Sequence, residues 1–119
     1  MKVLGLLFGL FVLTSSPLGA GAGLAVQAPT MMVAPGRLVV ETVVEPDSAN
    51  RAIQVVAESA DWYRSSEVQL DGDTAPRRNT FEFNGLPKGT YQIHAMLLDS
   101  VGQQRALVVR TLVVVSHAR

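Results

Sequence analysis

The feature that most limits what this chain can fold into is a succession of short runs in which residue character alternates with a period of two. Leu38, Val40, Thr42 and Val44 alternate with Val39, Glu41, Val43 and Glu45. Ile53, Val55 and Ala57 alternate with Gln54, Val56 and Glu58, and Val68 and Leu70 with Glu67 and Gln69. Phe81 and Phe83 flank Glu82, and Tyr91, Ile93, Ala95 and Leu97 alternate with Gln92, His94, Met96 and Leu98. Successive side chains of a strand point to opposite faces, so this pattern marks strands with one face in a core. Turn-forming clusters separate the runs: Pro46 to Asn50, Asp71-Gly72-Asp73, Asn84-Gly85, Pro87-Lys88-Gly89 and Asp99 to Gly102. No stretch after residue 28 shows the 3.6-residue period of an amphipathic helix. The sequence therefore predicts an all-β sandwich of about six to seven strands. Residues 58–66 are expected to form a loop that carries Trp62 and Tyr63.

The first residues have a different character. Lys2 is followed by an uncharged apolar stretch over residues 3–13, a break at Thr14 to Pro17, and then Gly and Ala. This is the order of a secretory signal peptide, and the apolar stretch is well short of the ~20 residues that span a membrane as a helix. Residues 1–28 are assigned as signal peptide and cleavage region, with the scissile bond after Ala22 or Ala28. Cleavage after Ala28 is disfavoured because it leaves Pro29 at the new terminus. Residues 29–37 are assigned as an extended lead-in, 38–115 as the sandwich and 116–119 as a tail. The expected location is secreted or periplasmic, with no membrane span once the leader is removed. The chain has no cysteine, which excludes a lipid-modified lipoprotein and any disulfide. A secreted domain without disulfides fits a bacterial source and must be held by packing alone.

With 10 Lys and Arg against 10 Asp and Glu, and only Arg77-Arg78 as a basic pair, nothing suggests a nucleic-acid partner. His94 lies on the Gln92 and Met96 face of its run, with no second histidine or carboxylate from that run beside it, and His117 falls in the tail. Asp71-Gly72-Asp73 reads as a hairpin turn rather than a calcium loop, which needs six to eight oxygens. No nucleophile elbow and no phosphate-cradling glycine loop occurs. The chain is therefore expected not to be an enzyme and to need no cofactor or metal.

Residues 81–95, with Leu86, Gly89 and Tyr91 at a Leu-Pro-x-Gly-x-Tyr corner, resemble the late strands of bacterial immunoglobulin-like and fibronectin type III-like modules. They are also similar to the prealbumin-like regulatory domains of carboxypeptidases. The resemblance implies an immunoglobulin-like antiparallel β-sandwich. Independently, a Tyr two residues after Gly can bury its ring while its hydroxyl reaches back to a backbone group near the corner.

Two features are candidates for binding. Trp62, Tyr63 and Arg64 combine the side chains that anchor interfaces and that stack on sugar rings, or else Trp62 and Tyr63 cover the open end of the core. The last strand, residues 105–115, is apolar on both faces: Leu107, Val109, Val113 and Val115 on one, Ala106, Val108, Leu112 and Val114 on the other. Such a strand is buried on both sides or meets a partner. The expected function is protein binding or structural support by a secreted module, with the last strand as the contact for a protein partner. One alternative is an inhibitor or regulator of a hydrolase, acting through residues 58–66 or 71–79. Another is a carbohydrate-binding module using Trp62 and Tyr63. A protruding 71–79 loop would favour the inhibitor, an exposed Trp62 the carbohydrate module, and a buried Trp62 with a bare last strand the protein partner.

Overall fold

The computed structural model describes residues 20–21 and 23–116. The signal-peptide assignment of residues 1–19 and the tail from residue 117 lie outside the described residues. Nine strands follow in order: β1 (Ala20–Gly21), β2 (Leu24–Gln27), β3 (Met31–Val33), β4 (Gly36–Val44), β5 (Ala52–Glu58), β6 (Tyr63–Gln69), β7 (Arg78–Leu86), β8 (Gly89–Leu98) and β9 (Gln104–Val115). They form a 4-stranded sheet, β1-β2-β4-β7, and a 5-stranded sheet, β3-β9-β8-β5-β6. The predicted all-β sandwich is thus the architecture found.

The alternating residues build the core. Leu38, Val40 and Val44 of β4 and Phe81, Phe83 and Leu86 of β7 face Ile53, Val55 and Ala57 of β5, Tyr91, Ile93, Ala95 and Leu97 of β8, and Ala106, Val108, Leu112 and Val114 of β9. Thr42 is the one polar member of the β4 inner row; it is buried, and its hydroxyl donates to the Asn79 carbonyl at 3.1 Å. Burying such a group without a partner would be costly, and the bond to β7 removes that cost.

The strands depart from the sequence expectation in four places. The sandwich reaches further towards the N-terminus than residue 38: β2 pairs antiparallel with β4, from Leu24 opposite Val44 to Gln27 opposite Glu41, and buries Leu24 and Val26. Its short Leu-Ala-Val-Gln alternation is hidden among the small residues that resemble a cleavage site. The lead-in contains β3, whose Met31, Met32 and Val33 pair with Val113, Val114 and Val115 of β9 in parallel, so the sandwich is not wholly antiparallel. The chain crosses between sheets after β2 and returns to the first sheet as β4, and this fixes the direction of β3.

Residues 63–66 belong to strand β6 rather than to a loop, because the β5–β6 turn is closed tightly by the Ser59 N–H donating to the Trp62 carbonyl at 2.8 Å. The first half of β6 lacks apolar alternation because this is an edge strand exposed along most of its length. Finally, Asp71-Gly72-Asp73 does not turn a hairpin. β6 and β7 lie in different sheets, and the connection includes a 3-10 turn, Gly72–Thr74. Gly72 adopts φ +58°, and a Cβ there would sit 3.2 Å from the Ser48 carbonyl oxygen, so both the backbone conformation and the close approach call for glycine.

Candidate functional site

Trp62 lies in the β5–β6 turn and packs against the core end. Its ring meets Tyr91 edge to face, with centroids 5.6 Å apart and planes at 78°. The Arg64 guanidinium lies over the Trp62 ring, 4.9 Å from its centroid. Tyr63 points elsewhere and is 56% exposed. The three residues therefore form no common flat platform: one edge of Trp62 belongs to the core, and a cation already covers its ring.

The corner residues lie beside this cluster. Leu86 and Tyr91 are fully buried, and Tyr91 Oη donates to the Pro87 carbonyl at 2.7 Å. Burial pushes the Tyr91 phenol above its ordinary range, with the nearby Ser59 side chain acting against that shift and the Asp61 charge adding to it. Gly89 sits at φ +152°, with the Tyr91 ring 3.7 Å from where its Cβ would be.

His94, on the outer face of β8, has Glu58 of β5 at 3.9 Å from its Nε2. The sequence run gave no carboxylate partner because this one comes from the neighbouring strand. Among the described residues, no group of three or more His, Cys, Asp or Glu side chains is placed to hold a metal ion.

A polar cluster at the β8–β9 end was not anticipated. Asn50 is buried; its Nδ2 donates to the Glu45 carbonyl at 3.0 Å, and its Oδ1 accepts from Arg105 Nη1. Arg105 Nη2 reaches Asp47 Oδ2 at 3.3 Å. The Ala49 backbone N–H and, behind it, Arg105 hold the Asp47 carboxyl below its ordinary range. These residues line a cavity of about 220 Å³ with Gly23, Pro46 and Leu97. Pockets that enclose drug-sized ligands run from roughly 300 Å³ upwards, and the groups here already satisfy one another. The Asp47, Asn50 and Arg105 triplet reads as a lock between a loop and β9.

The last strand has two unlike faces. Ala106, Val108, Leu112 and Val114 are buried, while Leu107 (40%) and Val109 (45%) are exposed, as are Val113 and Val115. Exposed Met31 and Val33 of β3 lie beside Val113 and Val115 through the parallel pairing, and Met96 of β8 lies opposite Leu107. Together these residues make two apolar patches on the outer face of the five-stranded sheet, Leu107 and Val109 with Met96, and Val113 and Val115 with Met31 and Val33, with Thr111 and its partner Gln92 between them. Met31 and Val33 were missed as members because their alternation spans only three residues between prolines.

No family model matches the chain, and no curated protein matches it. Solved structures do. A superoxide reductase (neelaredoxin) from Ignicoccus hospitalis superposes with a TM-score of 0.59 at 14% identity, covering 79% of this chain and 81% of that one. The CARDB domain of a Pyrococcus furiosus protein, solved in complex with di-metal ions, gives 0.54 at 14% identity, with 86% and 100% covered. The soluble domain of PmoD from a Methylocystis species gives 0.49 at 12% identity, with 76% and 90% covered. At 14% identity the likeness to the first two is one of fold, and the fold shared is an all-β domain.

The comparison corrects one expectation. The sequence reading held that this chain is not an enzyme, yet the superoxide reductase is an enzyme built on the fold found here. Function resides in sites placed on a fold, so the absence of familiar motifs does not exclude catalysis in this architecture. No helix among the described residues is long and apolar enough to cross a membrane.

Proposed function

We propose that this chain is a secreted or periplasmic immunoglobulin-like module that binds a protein through the outer face of its five-stranded sheet, centred on β9. The observation that carries this reading is the set of exposed apolar side chains Leu107, Val109, Val113, Val115, Met31 and Val33, gathered in two patches along one face of a β-sheet whose opposite face already supplies the core. A monomeric domain gains nothing in stability from leaving such side chains in water, and contiguous exposed apolar surface marks interaction sites.

Two rival readings fit the geometry less well. A carbohydrate module would stack a sugar on Trp62, whose ring is packed on Tyr91 and covered by Arg64. An inhibitor would project the 71–79 segment. That segment is instead tied down, with the Gly72 N–H donating to the Asn50 carbonyl at 3.1 Å and Ala75 packed on the core.

Site-specific photo-crosslinking in cells that secrete the protein tests the proposal. A crosslinker at Val109 is expected to give discrete protein adducts, whereas one at Glu82 on the opposite sheet gives none. Equal labelling at both positions, or none at either, would contradict it.

A further inference from the structure

The inner edge of β9 is unlike the other sheet margins. The Val113 N–H donates to the Thr30 carbonyl at 3.0 Å, and the Val115 carbonyl accepts from the Ala34 N–H at 2.8 Å. Odd-numbered residues of β9 therefore turn their backbone groups towards the β3 side, and even-numbered ones towards β8. The β3 pairing begins at Val113. Among the described residues, no strand pairs with residues 106–111 on that side, so Leu107, Val109 and Thr111 present their N–H and C=O groups there without a partner strand. The open stretch is bounded by Thr30 at one end. At the other, the β8–β9 register slips at Leu97/Leu98, opposite Arg105.

Natural sheets block free edges with charge. The β6 edge carries Arg64 and Glu67, and the β7 edge carries Arg78 and Glu82. The open part of β9 reads Ala-Leu-Val-Val-Arg-Thr, with Arg110 as its only charge.

Resting on the binding reading above, we propose that the occupant of this edge is a second copy of the chain, its β9 paired antiparallel about a two-fold axis at Val108. This register joins the two five-stranded sheets into one. It places Leu107 of each copy opposite Val109 of the other, so the two Leu107 and Val109 patches meet across the seam. It also places Arg110 opposite Ala106 of the other copy, so no like charges face each other, and Arg105 is already held by Asp47. A seam of residues 106–110 is only ~17 Å long at about 3.3 Å per residue. With its flanking side chains it buries less than the roughly 1,200 Å² of a stable complex. The pairing is therefore a reversible one that responds to concentration.

Sedimentation equilibrium on the protein secreted from its own leader, with melting curves as the check on folding, tests this. The wild type is expected to pass from one to two chain masses as concentration rises. Leu107→Glu and Val109→Lys, each at an exposed position, are each expected to stay folded and lose dimerisation at least tenfold. The double variant L107E/V109K is expected to regain it, because each Glu then faces the other copy's Lys. A wild type that stays monomeric, folded single variants that still dimerise, or a double variant without recovery overturns the second-copy inference. The broader binding reading falls separately, and only if crosslinks from Val109 in cells are also absent.

Discussion

Tyr91 on β8 donates its phenol hydrogen to the backbone carbonyl of Pro87, four residues earlier, at 2.7 Å, while its ring lies fully buried against Trp62. The bond ties the β7–β8 corner to the core. Tyr91→Phe leaves the ring in place and strips the Pro87 carbonyl of its donor, which costs about 1 kcal/mol. In a domain of this size that lowers Tm by roughly 4–8 °C. A thermal melt in which the variant matches wild type would show that the corner contributes nothing.

The same phenol gives the protein an alkaline limit. Burial raises the Tyr91 pKa in the folded state, so its stabilising contribution is complete below the unfolded value of about 10 and is lost as pH rises through the folded value. Denaturant midpoints measured between pH 8 and 11 are expected to fall at the upper end for wild type. The fall is expected to be shallower for Tyr91→Phe.

The acid side turns on Asp47. Its folded pKa is depressed by the Ala49 N–H and by Arg105, so its contribution is present above about pH 4 and is lost as pH falls through the folded value. Asp47→Asn is expected to flatten that part of the acid unfolding curve. Glu82, on the opposite sheet, is likewise held below its ordinary range by its hydrogen bond from Arg37. Asn50→Ala acts more strongly: it removes the buried partner of both the Glu45 carbonyl and Arg105, and is expected to cost about 1–3 kcal/mol by chemical denaturation.

For a secreted chain as proposed, the strand β2 bears on where the leader is cut. Leu24 and Val26 are both buried, and each such side chain contributes ~1.5–3 kcal/mol. Cleavage after Ala22 preserves β2, whereas cleavage after Ala28 removes it. Mass spectrometry of the secreted protein is expected to find Gly23 as the first residue. A chain beginning at Pro29 is expected to melt about 10 °C or more below one beginning at Gly23.

The elements legible in the sequence were those with one wet and one dry face. The inner rows of β4, β5, β7 and β8 alternate cleanly, and each forms a strand in the structure. The second half of β6 was legible through Val68, but residues 63–66 were hidden because an edge strand needs no apolar row. β2 and β3 were hidden because four and three residues hold too little alternation to stand out beside a run of small residues and two prolines. At the candidate site, the two apolar faces of β9 were visible, but only register shows that one is core and that the other continues through Met31, Val33 and Met96. The partnership of Asn50, Asp47 and Arg105 spans more than fifty residues and leaves no local pattern.

Amide hydrogen exchange along β9, followed by NMR at low and high protein concentration, tests the central claim most directly. At low concentration the Leu107 and Val109 amides are expected to exchange quickly, while Val108 and Arg110, bonded to β8, exchange slowly. At high concentration Leu107 and Val109 are expected to become protected as well. Leu107 and Val109 amides that are protected at every dilution would show the edge covered by the chain itself, and amides that stay unprotected at high concentration would show that no second copy adds to it; either result contradicts the account.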